Sequence, residues 1–295
     1  MSRTVKISRP DKQLFPTGET KADLAGYYEN VAEAMLPHVA GRPLNLERYV
    51  DGIEGERLVQ QRAGRYFPDW IARAETPKKG GSVEHVVARD AATLVYLAGQ
   101  AAITLHRWLS RADRLDRPDV LIVDLDPSDP DSDVRGAAVE FGGLMRELGL
   151  EPFAMTTGSR GFHVVAPLQR RQDFDDVRAF ARDLARLAAA RDPERLTVEM
   201  RKAKRGGRIL VDVARNAYAQ TAVAPYSVRA RPGATVATPL SWEELEDEAT
   251  RPDGWTIHTV LDRGEDPWRS IGSAARPLGA PRRKLDALLA EAGLG

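Results

Sequence analysis

Val120-Leu121-Ile122-Val123-Asp124-Leu125-Asp126-Pro127 is the stretch on which the fold turns. Four aliphatic residues in a row, three of them β-branched, fit a strand buried on both faces. The run then delivers two aspartates two positions apart. Side chains at i and i+2 of a strand share a face, which sets the Cβ atoms of Asp124 and Asp126 roughly 7 Å apart. Two carboxylates so placed repel each other unless a cation or a basic partner lies between them. Beyond Pro127 an acidic loop leads to an amphipathic helix over 134–148, closed by Gly149. Short strands at 153–156 and 162–166 flank Gly158-Ser159-Arg160-Gly161, and a second amphipathic helix covers 174–190. Residues 208–213 form another strand, which again sets an acid, Asp212, among β-branched neighbours. Two β-α-β passages with antiparallel hairpins predict an α+β sheet domain.

Toward the N-terminus, Lys12, Phe15, Pro16 and Gly18 are loop material. Residues 21–39 carry apolar side chains at helical spacing (Leu24, Tyr27, Tyr28, Val31, Met35) and predict one helix. Residues 44–50 alternate as a strand ending in an Asp51-Gly52 hairpin turn. Residues 76–81 are polar loop, 83–88 a short strand, 91–99 a helix, and 103–106 alternate. Residues 276–295 predict a C-terminal helix after a Pro/Gly-rich connection. The expected organisation is one domain over 1–270, in two subdomains (1–90 and 91–270), followed by a connection and helix (271–295).

The chain has 295 residues, 43 Lys+Arg against 43 Asp+Glu, and no cysteine. A zero net charge argues against a generic polycation coating nucleic acid, and zero cysteines exclude disulfides and Cys-ligated zinc or iron–sulfur centres. The N-terminus has no apolar signal region. The longest nearly apolar stretch, 91–105, is too short and too polar to span a bilayer, so a soluble cytoplasmic protein with no membrane partner is expected. The charges are segregated: residues 119–133 hold six aspartates and no Lys or Arg, and residues 201–215 hold six basic residues and one acid. Solvated surface leaves that trace, and so does an anionic metal pocket beside a cationic phosphate wall.

The motifs carry more than the charge balance. Asp-x-Asp at the end of a strand suits magnesium or manganese, which bind a few carboxylates together with substrate phosphate oxygens, and it equally suits a polar strand end. Asp212 in a second strand would complete a two-metal arrangement of the phosphoryl-transfer type. Thr157-Gly158-Ser159-Arg160-Gly161-Phe162-His163 reads as an anion cradle of backbone N–H groups beside an arginine, with His163 placed to donate to a phosphate; it also reads as a plain hairpin turn. Lys21, in the first turn of a helix, opposes the macrodipole, which is how a lysine placed for an external phosphate would look, or an ordinary solvated one. No Gly-x-x-x-x-Gly-Lys-Ser/Thr run exists, which excludes a P-loop, and no His-Glu-x-x-His run supports a metalloprotease.

Asp124-Leu125-Asp126-Pro127, the 157–163 segment and Asp212 in its apolar strand together resemble the three motifs of the archaeo-eukaryotic primase superfamily. More narrowly, the chain is similar to the polymerase domain of bacterial ligase D, the multidomain enzyme of non-homologous end joining. The likeness extends from about residue 8 to 268 and includes Asp11-Lys12-Gln13-Leu14-Phe15-Pro16, Gly41-Arg42-Pro43 and Ala224-Pro225-Tyr226-Ser227-Val228-Arg229. It implies an RNA-recognition-motif-like catalytic sheet with a packed N-terminal α/β subdomain. By resemblance, Asp124, Asp126 and Asp212 would ligate two Mn2+ or Mg2+ ions. Thr157, Ser159, Arg160 and His163 would hold nucleotide phosphates. His106 would lie near the sugar, Arg205, Arg215 and Arg229 would make further nucleotide contacts, and Lys12 and Lys21 would grip a DNA 5′-phosphate. The implied substrates are gapped or broken DNA with NTPs or dNTPs, ribonucleotides favoured.

The chain departs from the family pattern at Leu58-Val59-Gln60-Gln61, where relatives often carry two aromatics followed by Gln-Lys, and Thr157 stands where serine is common. No ligase or nuclease segment follows, so the reading is of a stand-alone polymerase meeting Ku and a separate DNA ligase as partners. A primase-polymerase that starts chains de novo and a non-catalytic DNA end-bridging module are the alternatives.

Overall fold

The computed structural model describes residues 3–295. In chain order its helices are α1 (Lys21–Asn30), α2 (Ala32–Val39), α3 (Ala91–Gly99), α4 (Val134–Glu147), α5 (Phe174–Arg191), α6 (Trp242–Glu246) and α7 (Gly279–Glu291). The strands are β1 (Leu44–Arg48), β2 (Leu58–Gln60), β3 (Arg73–Lys78), β4 (Gly81–Val86), β5 (Ala102–Trp108), β6 (Ser110–Arg111), β7 (Arg114–Pro118), β8 (Val120–Asp126), β9 (Phe153–Thr156), β10 (Phe162–Pro167), β11 (Leu196–Thr197), β12 (Ile209–Asp212), β13 (Thr221–Val223) and β14 (Pro239–Leu240).

Two compact units emerge, one from residues 1–115, 221–238 and 253–266, the other from 116–220, 239–252 and 267–295. This division differs from a single cut near residue 90. Helix α3 and strand β5 belong to the first unit, and the chain returns to it twice, because β13 pairs with β5 (Val223 opposite His106) and Thr235 bridges Thr256.

In the second unit the strand order is β11-β12-β8-β10-β9-β14. The passage β8-α4-β9-β10-α5-β12 gives the spatial order 4-1-3-2 with antiparallel neighbours, the βαββαβ arrangement of the ferredoxin-like and RNA-recognition-motif folds. Its two helices follow from strong amphipathic patterns: α4 buries Val134, Ala137, Ala138, Phe141, Leu144 and Met145, and α5 buries Phe174, Val177, Phe180, Ala181, Leu184 and Leu187. Each starts on an aspartate cap, Asp133 or Asp173, whose side chain accepts a backbone N–H in the first turn. Val120 to Val123 are all buried, each worth roughly 1.5–3 kcal/mol of transfer free energy. The C-terminal helix is part of this unit: Leu285 and Leu289 of α7 are buried, and Arg282 donates to Asp183 of α5 at 2.8 Å.

The first unit is built on a sheet of order β13-β5-β1-β4-β3, with β2 added to β1. Its core takes in Leu24, Tyr28, Met35, Leu46, Leu97 and Ile103. The hydroxyl of Tyr28 donates to Ile103 O at 2.7 Å and accepts from Val228 N at 3.1 Å, so a buried phenol is satisfied while it ties three segments together. Three local expectations are corrected here. Residues 21–39 form two helices rather than one, meeting at Val31 (ψ −4°). Pro37, inside α2, has no N–H for Glu33 O and weakens the ladder just beyond that break. Residues 76–78 are strand, not loop: β3 and β4 pair from Arg73↔Val86 to Lys78↔Gly81, with Thr76 buried and Pro77 and Lys78 exposed. Asp51-Gly52 turns the chain, but within a longer connection between β1 and β2.

Candidate active site

Strand register assembles the acidic centre. In the antiparallel pairs flanking β8, Asp124 lies directly opposite Asp212 of β12 on one side and His163 of β10 on the other. The three side chains therefore share one face of the sheet, with Asp126 two residues further along β8 on that same face. His163 is 4% exposed, and its Nε2 stands 3.7 Å from Asp124 Oδ2. Its buried Nδ1 has no hydrogen-bond partner among the described residues.

Asp126 is held by two arginines. Arg205 donates from Nη1 to Oδ2 at 3.0 Å and Arg160 from Nη2 to Oδ1 at 3.2 Å. The Arg205 guanidinium is buried and engaged through all three of its nitrogens, because it also donates to Glu199 O (3.1 Å) and Met200 O (3.0 Å), pinning the basic segment onto the sheet. The segregated charges of the sequence thus meet: residue 126 of the acidic stretch pairs with residue 205 of the basic one.

Among the described residues no group of three or more His, Cys, Asp or Glu side chains is gathered so as to hold a metal ion. Asp126 is engaged by its arginines, and Asp212 Oδ1 by Ala214 N. The remaining donor chemistry fits a hard divalent cation: Asp124 and Asp212 are carboxylates from adjacent strands at opposed positions on one face.

The 157–161 loop is closed by Thr157. Its backbone N–H and hydroxyl both donate to Gly161 O at 3.0 Å, and the hydroxyl accepts from Gly161 N at 3.2 Å. The hydroxyl expected at a phosphate is thus spent inside the turn, while Ser159 is partly exposed and Arg160 exposed at the loop tip. Gly161 is sterically required: a Cβ there would lie 2.1 Å from Leu125 O, so only glycine lets β10 begin against the strand carrying both aspartates.

Asn216 is a positioning residue that no sequence motif signals. Pairing of β12 with β8 stops at Asp212↔Asp124. Two residues back, Ile122 N donates to Asn216 Oδ1 at 3.0 Å and Ile122 O accepts from Asn216 Nδ2 at 2.7 Å. A fully buried amide thus stands in for the missing strand. Asp212 Oδ1 accepts from Ala214 N at 2.7 Å, which shapes the 3-10 turn Ala214–Asn216 and leaves Arg215 exposed on it.

The other expected contacts lie in the first unit. Lys12 and Lys21 are brought together by the bonds Lys21 N→Lys12 O and Ala22 N→Pro10 O, both 2.9 Å. Lys12 Nζ donates to Asp51 at 2.8 Å and Lys21 Nζ to Ser8 O at 2.9 Å. Burial, with the nearby charges of Arg9, Lys12 and Arg48, holds the Lys21 ammonium below its ordinary pKa. Thr20 caps α1 with a capping box to Asp23, so the helix starts regularly despite the cation. His106 Nε2 lies 3.2 Å from Glu47 Oε1. Burial pushes the Glu47 carboxyl up, but the His106 hydrogen bond and the charges of His106, Arg57 and Arg229 outweigh it and leave the group below its usual range.

The family model of the LigD primase-polymerase domain matches residues 20–268. The multifunctional non-homologous end joining protein LigD of Mycolicibacterium smegmatis is 31% identical over 94% of this chain and 36% of its own length. The protein of the same name from Pseudomonas aeruginosa is 33% identical over 95% and 34%, and the bifunctional LigD of Bacillus subtilis is 30% identical over 86% and 41%. The chain thus spans about a third to two fifths of the length of these relatives. A solved structure, the polymerase domain of Mycobacterium tuberculosis ligase D in complex with DNA, superposes with a TM-score of 0.86 at 30% identity, covering 93% of this chain and all of that one. No helix of the described residues is long and apolar enough to cross a membrane. With the βαββαβ sheet and its aspartate register already in place, these matches make the chain a member of the LigD primase-polymerase domain family.

Proposed function

We propose that the chain is a metal-dependent nucleotidyltransferase that fills gaps and extends ends of broken DNA, adding NTPs or dNTPs to a primer 3′-hydroxyl under template direction, with ribonucleotides preferred. The observation that carries this reading is the placement of Asp124 between Asp212 and His163 on adjacent strands, with Asp126 beside them in the grip of two arginines. An acid pair flanked by cationic donors is what an in-line displacement at a triphosphate requires: carboxylates for the cations, guanidinium and imidazole for phosphate oxygens. Asp124 and Asp212 would hold Mg2+ or Mn2+, joined by Asp126 once Arg160 turns to the phosphates. Such ions, when bound, lower the pKa of the attacking hydroxyl and neutralise charge on the leaving pyrophosphate. Arg160, exposed at its loop tip, is free to swing from Asp126 to the triphosphate, and buried His163 supplies a fixed donor. Lys12 and Lys21 form the cationic pair that takes a DNA 5′-phosphate, and Ku and a ligase are the partners such a repair role needs.

Primer extension on a short gapped duplex bearing a 5′-phosphate tests the reading, with manganese or magnesium and NTPs or dNTPs. Templated addition is expected from the wild type and none from Asp124→Ala/Asp126→Ala, with DNA binding retained. Tight DNA binding without addition under any metal or nucleotide would instead support an end-bridging module.

A further inference from the structure

We propose that Tyr66 is a preformed stacking platform for an unpaired base of the DNA substrate; this assignment rests on the polymerase reading above. Tyr66 leaves 60% of its surface exposed, yet it is anchored on two sides. Its hydroxyl accepts from Arg48 Nη1 at 2.8 Å, and Arg48 is itself fixed by bonds to Gln100 O (2.9 Å) and Gln60 Oε1 (2.7 Å). Its ring stands edge-on to buried Phe67, with centroids 5.0 Å apart at 79°. Phe67 is edge-on to Tyr96 (5.2 Å), and Tyr96 to Trp70 (5.7 Å), so the exposed ring is the outermost member of an aromatic series rooted in the core. Gly64 makes room for it: a Cβ there would come within 2.8 Å of the Tyr66 ring and 2.9 Å of Phe67.

A side chain merely left over at the surface would not be held so firmly. The surroundings indicate what the open face takes. Leu58 and Val59, on the adjoining short strand β2, are 40% and 55% exposed and add apolar surface. Arg57, Arg62 and Arg65 are exposed in the same segment, and Arg65 makes no hydrogen bond or ion pair among the described residues. A fixed aromatic face interleaved with guanidinium groups matches the requirements of single-stranded nucleic acid, whose bases all offer a π face and whose backbone is anionic. Stacking needs no base identity, which suits an enzyme that must accept any template.

Fluorescence anisotropy with three labelled DNAs tests this: a blunt duplex, the same duplex with a single-stranded tail, and that tail with abasic sites. Tyr66→Ala should weaken binding of the tailed DNA about fivefold to tenfold, the lower end for loss of one stacked base. Its affinity for the blunt and abasic DNAs should change by less than about twofold. Tyr66→Phe and Tyr66→Trp should stay near wild type, with unfolding temperatures confirming intact proteins. Equal weakening on all three DNAs, or no weakening on the tail, would overturn the proposal. So would Tyr66→Leu binding the tail as well as Tyr66→Phe, which would reduce the contact to apolar cover. A wild type that binds none of the DNAs would overturn the polymerase reading beneath it as well.

Discussion

Replacing Asn216 by alanine tests whether a buried amide positions the aspartate strand. The side chain makes three hydrogen bonds, with Ile122 N (3.0 Å), Ile122 O (2.7 Å) and Val213 O (2.9 Å), and is fully buried. Alanine reaches none of them, and both main-chain groups of Ile122 lose the partner that replaces a neighbouring strand. A buried polar group left unsatisfied costs about 1–3 kcal/mol, so the pair implies about 2–5 kcal/mol, allowing for partial relaxation. At ~2–4 °C per kcal/mol for a chain of this size class, the unfolding temperature should fall by about 4–20 °C. Ile122 is two residues from Asp124, so the disturbance reaches the acid centre. Extension measured at 15 °C, where the variant is still folded, should drop by up to ~10²-fold, the scale associated with a misplacement of about 1 Å. Differential scanning fluorimetry and single-nucleotide addition read the two effects separately. A variant that melts within about 1 °C of wild type would refute the energetic argument, and normal extension despite a lowered melting temperature would refute the positioning argument.

Lys21→Met keeps the buried stem and removes a charge already disfavoured by burial and three neighbouring cations. The fold should be at least as stable at neutral pH, while the preference for a 5′-phosphorylated gap falls about tenfold, one charge-assisted hydrogen bond at ~1.5 kcal/mol; equal loss with and without the phosphate would count against the site. His38, packed against Asp266 at 3.6 Å with Arg107 donating to its carbonyl, is held below its ordinary pKa of 6.5 mainly by burial, with Arg107 and Arg42 adding to this and Asp266 opposing it. The unfolded chain then binds a proton that the fold resists, so the His38 contribution is full above pH 6.5 and is lost as pH falls below it. His38→Gln should flatten the melting temperature against pH between about 6.5 and 5, leaving a residual slope from His85, which burial also lowers; an unchanged profile would remove His38 from the acid response.

What the sequence made legible is what depends on local periodicity. The run 120–123, the helices from 134 and 174, and the strand around Asp212 all fall where spacing and β-branching put them, and strand register then does the rest, setting Asp124, Asp212 and His163 side by side. Less legible were features set by distant partners. Residues 76–78 look like loop because Thr76, Pro77 and Lys78 carry no apolar alternation, even though Thr76 is buried, and their strand pairing comes from β4. The two returns of the chain to the first unit have no local signature, since β13 is three residues long and is defined by β5. Thr157 carries a hydroxyl in the expected place, yet only the backbone trace of Gly161 reveals that the hydroxyl closes the turn.

The Asp126 ion pairs explain why the acid and base clusters are separated in sequence but joined in space. A third carboxylate beside Asp124 and Asp212, with nothing to balance it, would leave three like charges on one sheet face before any cation arrived. Arg205, locked to two carbonyls besides Asp126, supplies a fixed counter-charge. Arg160, bonded to Asp126 from an exposed loop tip, supplies a releasable one. The two therefore differ in what a triphosphate could displace: the exposed arginine at the cost of one screened contact, the buried one only by breaking a network that also shapes the loop from 199 to 205. If the proposed polymerase reading holds, cation occupancy and nucleotide occupancy should be coupled through Asp126, because drawing Arg160 to phosphate would free carboxylate oxygen for a metal.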